Sequence, residues 1–123
     1  MEAEAILGAL ALCESGQLEL VGSDTLVFEA EQCPHPVRKR YSFEVLAQAK
    51  VVVRADGTIQ ERARALHSHG IKPLDALHLA SAEAANAVFF CTCDDRFLKG
   101  ARARVKPPTR VVTPLELILE VAP

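Results

Sequence analysis

The chain has 123 residues, half of them hydrophobic and 24% charged, with a formal net charge of -2 at pH 7. This length suits one domain with one core, and the charge balance names no partner by itself. Aromatics are scarce at 5% and Trp is absent, so the core has to be Ala, Leu and Val, which suits helices packed on a sheet. Charge is unevenly distributed. Residues 1–37 hold seven acids and no Lys or Arg, and residues 96–115 hold six bases and no acid. Such asymmetry can mark a face for phosphates.

In chain order, residues 2–14 read as an Ala/Leu helix with Gly16 after its end, followed by a short strand at 18–21. Ser23 is a good N-cap for a helix over 24–32, with Asp24 favourable in its first turn. Pro34 and Pro36 break that helix. Residues 38–49 support another helix, and the β-branched run at 50–53 a strand. Asp56-Gly57 is a turn. Thr58 and Glu61 fit a capping box for a helix to about His69, which Gly70 stops. Pro73 opens a helix over 73–85 that looks buried on more than one face, and Asn86 ends it. Residues 87–91 form an apolar run suited to a central parallel strand. A short basic helix over 94–103, a Pro107-Pro108 loop, a strand at 110–112 and a helix opened by Thr113-Pro114-Leu115-Glu116 complete the reading.

Helices alternating with strands predict an α/β fold, with a mostly parallel sheet flanked by helices. Ligands of such sheets sit beyond the carboxyl ends of the strands. The apolar run 6–12 follows acids and is too short to span a bilayer, so it reads as neither signal peptide nor membrane span. The expectation is a cytoplasmic chain with reduced thiols. Cys91-x-Cys93 is not zinc-knuckle spacing, and no matching pair follows it. No glycine-rich phosphate loop occurs either, which argues against a nucleotide-binding protein.

Four acids stand out. Asp75 lies in the first turn of its helix, three residues before His78. Asp94 and Asp95 follow a strand directly. Glu29 sits in an otherwise apolar stretch, Leu26-Val27-Phe28. Each has a bland alternative: a helix-dipole partner, an N-cap, or a solvated acid.

Together these segments resemble the PIN domain. Gly70-Ile71-Lys72-Pro73-Leu74-Asp75-Ala76-Leu77-His78-Leu79-Ala80 is similar to the family's D-A-L-H-L-A helix start, and Thr92-Cys93-Asp94-Asp95-Arg96-Phe97 to its T-x-D-x-x-F turn. Val111-Val112-Thr113-Pro114-Leu115-Glu116 is similar to its closing strand and helix, and Ser23 to Glu29 to its S-x(5)-E segment, with Glu31 the competing acid. The resemblance spans nearly the whole chain as one domain, 1–123. It implies a Mg2+- or Mn2+-dependent ribonuclease in which Asp75, Asp94 and Glu29 face the metal. Asp95 would assist, and Thr92 would orient a water or a ligand acid. Arg96, Lys99 and Arg102 would meet RNA phosphates. Since many bacterial members are toxins of toxin–antitoxin pairs, a small antitoxin protein is an expected partner, and a homodimer an expected assembly. The alternative is a degenerate, non-catalytic protein- or RNA-binding module.

PIN domains open with a strand ending in Asp, then Thr or Ser. No Asp precedes Asp24 here. The expectation is a chain that starts after that central strand, short by roughly 10–25 residues, and weakly active or inactive as it stands.

Overall fold

The computed structural model describes residues 10–121. A helical stretch, α1 (residues 10–14), leads through Gly16 to β1 (Val21–Ser23) and α2 (Asp24–Glu31). Next come α3 (Pro36–Leu46), β2 (Val51–Val53), α4 (Gly57–Ser68) and α5 (Pro73–Ala84). The chain continues through β3 (Phe89–Cys91), α6 (Asp95–Arg104), β4 (Arg110–Val112) and α7 (Pro114–Val121). The rest of the helix expected over 2–14 lies outside the described residues.

The strands pair in parallel, β1 with β2 in the register Val21↔Val51 and β3 with β4 in the register Phe89↔Arg110. Among the described residues these are two separate two-stranded sheets. The α/β class is as expected, but the sheet is divided. That division accompanies a departure from the sequence reading. β3, expected to be a buried central strand, is half-buried at Phe89 and Phe90 and exposed at Cys91; among the described residues β4 alone is hydrogen-bonded to it. β2 is likewise open, with Val51 and Val52 both more than half exposed.

The core lies where α4, α5 and α6 meet β4. Ile59, Ala63 and Leu66 form the inner stripe of α4 and pack with Ala76, Leu79 and Ala80 of α5, Phe97 and Ala101 of α6, and Val111. The spacing i, i+4, i+7 on α4 is that of one helical face. Leu66 and Leu79 are fully buried. Small Ala side chains let the helices approach closely, as the composition foretold, and most of α5 is buried or half-buried.

Several boundaries moved for local reasons. The first strand begins at Val21 rather than at 18, because its register is set by pairing with β2. Gly22 suits the close approach there: a Cβ at this position would lie 3.1 Å from the Ala49 Cβ, so Ala49 would have to give way slightly. Pro36, read as a breaker, instead opens α3, where its missing N–H has no helical partner to lose. Asp56, not Thr58, caps α4, its carboxylate accepting from the Ile59 amide at 3.0 Å. An ionised acceptor outcompetes a hydroxyl for those helix-end donors.

Other caps stand as read. Ser23 Oγ accepts from the Leu26 amide at 3.0 Å. Gly70 ends α4 with φ +95°, in the left-handed region. At α7 the capping box closes reciprocally: Thr113 Oγ1 accepts from the Glu116 amide, and the Glu116 carboxylate accepts from the Thr113 amide at 2.8 Å.

Candidate functional site

Asp75 is the third residue of α5, on the turn entered from Gly70 through Pro73. Asp94 is the N-cap of α6, immediately beyond β3. One Asp94 oxygen, Oδ1, accepts from the amides of Arg96 and Phe97 at 3.0 and 3.1 Å. Thr92 Oγ1 accepts from the Asp94 amide at 3.1 Å, which fixes the turn. Thr92 therefore positions Asp94 through its backbone.

Asp75 and Asp94 line one small cavity of about 100 Å³, together with Lys72 and Arg96. Burial, the larger cause, holds the Asp75 carboxyl above its usual range. Asp94 and Glu29 push it up further, while His78 and Lys72 pull it down. The cavity thus holds two carboxylates with a rim of two cations, Lys72 and Arg96.

Glu29 goes elsewhere. Its Oε2 lies 3.2 Å from His78 Nε2, and the His78 side chain is only 10% exposed. The pair joins α2 to α5. Glu29 remains within electrostatic reach of Asp75, but among the described residues no group of three or more His, Cys, Asp or Glu is arranged to hold a metal ion. Glu31, the competing acid, is exposed at the end of α2, and Asp95 is exposed on the first turn of α6.

Of the three cations expected to meet phosphate, Arg96 and Lys99 are exposed. Arg102 is engaged: Nε donates to the Val111 carbonyl at 3.0 Å and Nη2 to Glu116 at 2.6 Å. A wider depression of about 620 Å³ lies between α6, β4 and α7. Its charges are already paired, Arg102 with Glu116 and Arg110 with Glu120. The smaller acidic cavity is therefore the candidate site.

A PIN-domain family profile matches residues 2–103, most of the chain. The chain belongs to the PIN-domain family. No curated protein and no solved structure gives a significant match. The PIN fold is nuclease-like, and its members generally bind RNA and use divalent metals. This PIN domain brings two of the three expected acids into one cavity and commits the third to a histidine. Among its described residues no helix is long and apolar enough to cross a membrane.

Two roles were not legible in the sequence. Lys72 lines the acidic cavity; its place beside Pro73 in the same motif was the available signal. The Asp24 carboxylate does more than complement a helix dipole. Both its oxygens accept from the Ala55 amide, at 3.0 and 3.2 Å, tying α2 to the loop after β2. That partner is 31 residues distant, and nothing local announces it.

The donor set fits a hard divalent cation in part. Asp75 and Asp94 are oxygen ligands on separate elements, and such a cation bound through two carboxylates completes its shell with water. Glu29 does not line this cavity, and its Oε2 faces His78.

Proposed function

We propose that this PIN domain is a divalent-cation-dependent ribonuclease, with Asp75 and Asp94 as the acids that hold Mg2+ or Mn2+. The observation that carries this reading is the convergence of those two carboxylates, from the first turn of α5 and the cap of α6, on one cavity with Lys72 and Arg96. When bound, the cation supplies an activated water and neutralises charge at the scissile phosphate.

The chain's own residues do the rest. Thr92 holds the Asp94 turn through the Asp94 amide, which leaves Asp94 Oδ2 outside the capping bonds. Lys72 and Arg96 offer positive charge to phosphate oxygens, with Lys99 further along α6. Asp95, exposed one residue from the cap, would assist from outside the cavity lining. His78 positions Glu29, which keeps negative charge near Asp75 without filling the cavity.

Mn2+ titrated into the metal-free protein should raise its melting temperature and permit cleavage of single-stranded RNA. Asp75→Asn and Asp94→Asn should each abolish both effects. A flat thermal response with no cleavage would remove the nuclease reading. The protein would be cytoplasmic, and slowed growth on expression, relieved by a small protein encoded beside it, would make it the toxin of a toxin–antitoxin pair.

A second reading has its own support. With Glu29 held by His78, two acids make a sparse metal site, which fits weak activity or a binding module that no longer cuts. In that case the double variant Asp75→Asn/Asp94→Asn keeps the biological effect that a nuclease would lose.

A further inference from the structure

The cavity of Asp75 and Asp94 is bounded by a third element, the end of α4, where His69 joins Lys72 and Arg96 in its lining. His69 is the C-cap of α4. Its amide donates to the Leu66 carbonyl at 3.1 Å, and the Gly70 amide donates to the His67 carbonyl at 2.9 Å. Gly70, at φ +95°, then turns the chain to the buried Ile71 and on to α5. The backbone that carries His69 is held in place by this helix end, while the residue itself stays exposed.

Its imidazole is uncommitted. His67 Nδ1 lies 2.9 Å from the Ile71 carbonyl oxygen, and His78 Nε2 lies 3.2 Å from Glu29. Among the described residues no hydrogen bond or ion pair holds the His69 ring.

Cutting a phosphodiester calls for one group that the two acids and the cations do not supply. As the bond from phosphorus to the leaving ribose breaks, that oxygen departs as a strongly basic alkoxide unless a proton reaches it. Asp75 and Asp94 are the acids assigned to the cation, and a carboxylate only accepts. An arginine such as Arg96 does not give up its proton, and a lysine ammonium is a far weaker acid than an imidazolium. The other residues of the lining are apolar or glycine. Histidine is the side chain that gives a proton and takes it back near neutral pH. The cavity, about 100 Å³, has room for about three waters, so a phosphate seated in it is no more than one water from any part of its wall. Transfer through one water is within the reach of general acid catalysis.

We propose that His69 is the proton donor to the leaving ribose oxygen. This rests on the ribonuclease reading above. A water oxygen forms the new bond to phosphorus, and the bond to the leaving ribose breaks with its electron pair on oxygen. The His69 imidazolium passes its proton to that oxygen, which leaves as a hydroxyl. The proton shed by the attacking water goes to solvent, and solvent recharges His69.

The test uses the full chain and two oligouridylates, identical except that one carries sulfur in place of the leaving oxygen at a single bond. The product ends of the wild-type reaction identify that oxygen. A thiolate leaves without a proton, so the two substrates separate proton donation from every other role. His69→Ala should slow cleavage of the oxygen-bridged RNA by about 10²- to 10³-fold and leave the sulfur-bridged rate close to that of wild type. His69→Gln, which can hydrogen-bond but not transfer a proton, should behave as His69→Ala. Lys72→Ala should slow both substrates alike. Apart from activity, His69→Ala should keep the wild-type rise in melting temperature with Mn2+ and the wild-type affinity for oligouridylate in metal-free buffer.

Equal loss on both substrates, or loss on neither, overturns the proposal. So does a His69→Ala protein that no longer responds to Mn2+, which would make His69 a cation ligand, or one that no longer binds RNA, which would make it a binding contact. If wild type cuts RNA through Asp75 and Asp94 while His69→Ala cuts at the same rate, the role of His69 fails and the ribonuclease reading stands. If wild type cuts no RNA, both fail.

Discussion

His78 Nε2 stands 3.2 Å from Glu29 Oε2, so α5 carries both an acid for the cavity and the histidine that draws a second acid aside. Asp75 and His78 are three residues apart, one helical turn, and therefore on adjoining parts of one face. This arrangement ranks the three acids. Asp75→Asn and Asp94→Asn should each lower RNA cleavage by about 10³-fold, since each removes an oxygen at the proposed cation. Glu29→Gln, which acts beyond that cavity, should lower it only about 10- to 100-fold, and His78→Ala by a similar amount. Single-turnover cleavage at saturating Mn2+ measures the order. A Glu29→Gln loss as large as that of Asp94→Asn would mean that Glu29 also holds the cation.

The environment of Asp75 makes a pH prediction. Burial first, then Asp94 and Glu29, raise its pKa above the ordinary 3.8. An acid raised in the folded state binds its proton more tightly there than in the unfolded chain. Stability therefore falls as pH rises from 3.8 through the raised value, and the penalty is complete above it. In metal-free protein at neutral pH, Asp75→Asn should be more stable than wild type by about 1–3 °C, the effect being small because water screens a partly exposed group. The difference should vanish below pH 3.8. Mn2+ should reverse the ranking at neutral pH, raising the melting temperature of wild type and leaving Asp75→Asn unmoved.

Glu83 of α5 fastens three elements. Arg62 of α4 reaches it through Nε at 2.8 Å and Nη2 at 3.1 Å, and the amide of Lys106 donates to it at 2.9 Å. Arg62 Nη2 also donates to the Arg104 carbonyl at the end of α6. The Glu83 side chain is 7% exposed. Glu83→Ala should destabilise by about 3 kcal/mol, since it strands a half-buried guanidinium and an amide. Urea unfolding measures this, and Arg62→Ala/Glu83→Ala should recover part of the loss.

How far the sequence could be read follows from the range of the forces involved. Ser23, Gly70, Thr113 and Pro114 act within a turn of themselves, and their caps stood where local chemistry placed them. Asp94 was legible as an acid after a strand and also as an N-cap, and it is both. Pro36 and Thr58 were misread because two local signals competed. A proline can end one helix or open the next, and Asp56 lay two residues ahead of Thr58 with the stronger acceptor. What could not be read was non-local. The Glu29–His78 contact spans 49 residues and the Asp24–Ala55 contact 31. The division of the sheet is non-local too. Strand pairing depends on which chains lie alongside, and the apolar run before Cys91 looks the same whether one edge is hydrogen-bonded or two.

The α7 cap offers a prediction in which position and pH act together. Glu116 accepts from the Thr113 amide and from Arg102, and Thr113 Oγ1 accepts from the Glu116 amide in return. The Thr113 amide, first, and then the hydrogen bonds from Arg102 and the Thr113 hydroxyl hold the Glu116 carboxyl below its usual range. A depressed acid contributes stability that is present above its unfolded value, near 4.5, and is lost as pH falls through the folded one. Thr113→Ala removes one half of the box and should cost about 1 kcal/mol at any pH where the helix forms. Glu116→Gln keeps the shape but not the charge. It should be less stable than wild type at neutral pH and match it once acid has protonated the wild-type carboxylate. Melting curves for both variants between pH 3 and pH 7 separate the two contributions. A Glu116→Gln deficit that persists unchanged into acid would show that the carboxylate's charge has no part in holding α7 to β4 and α6.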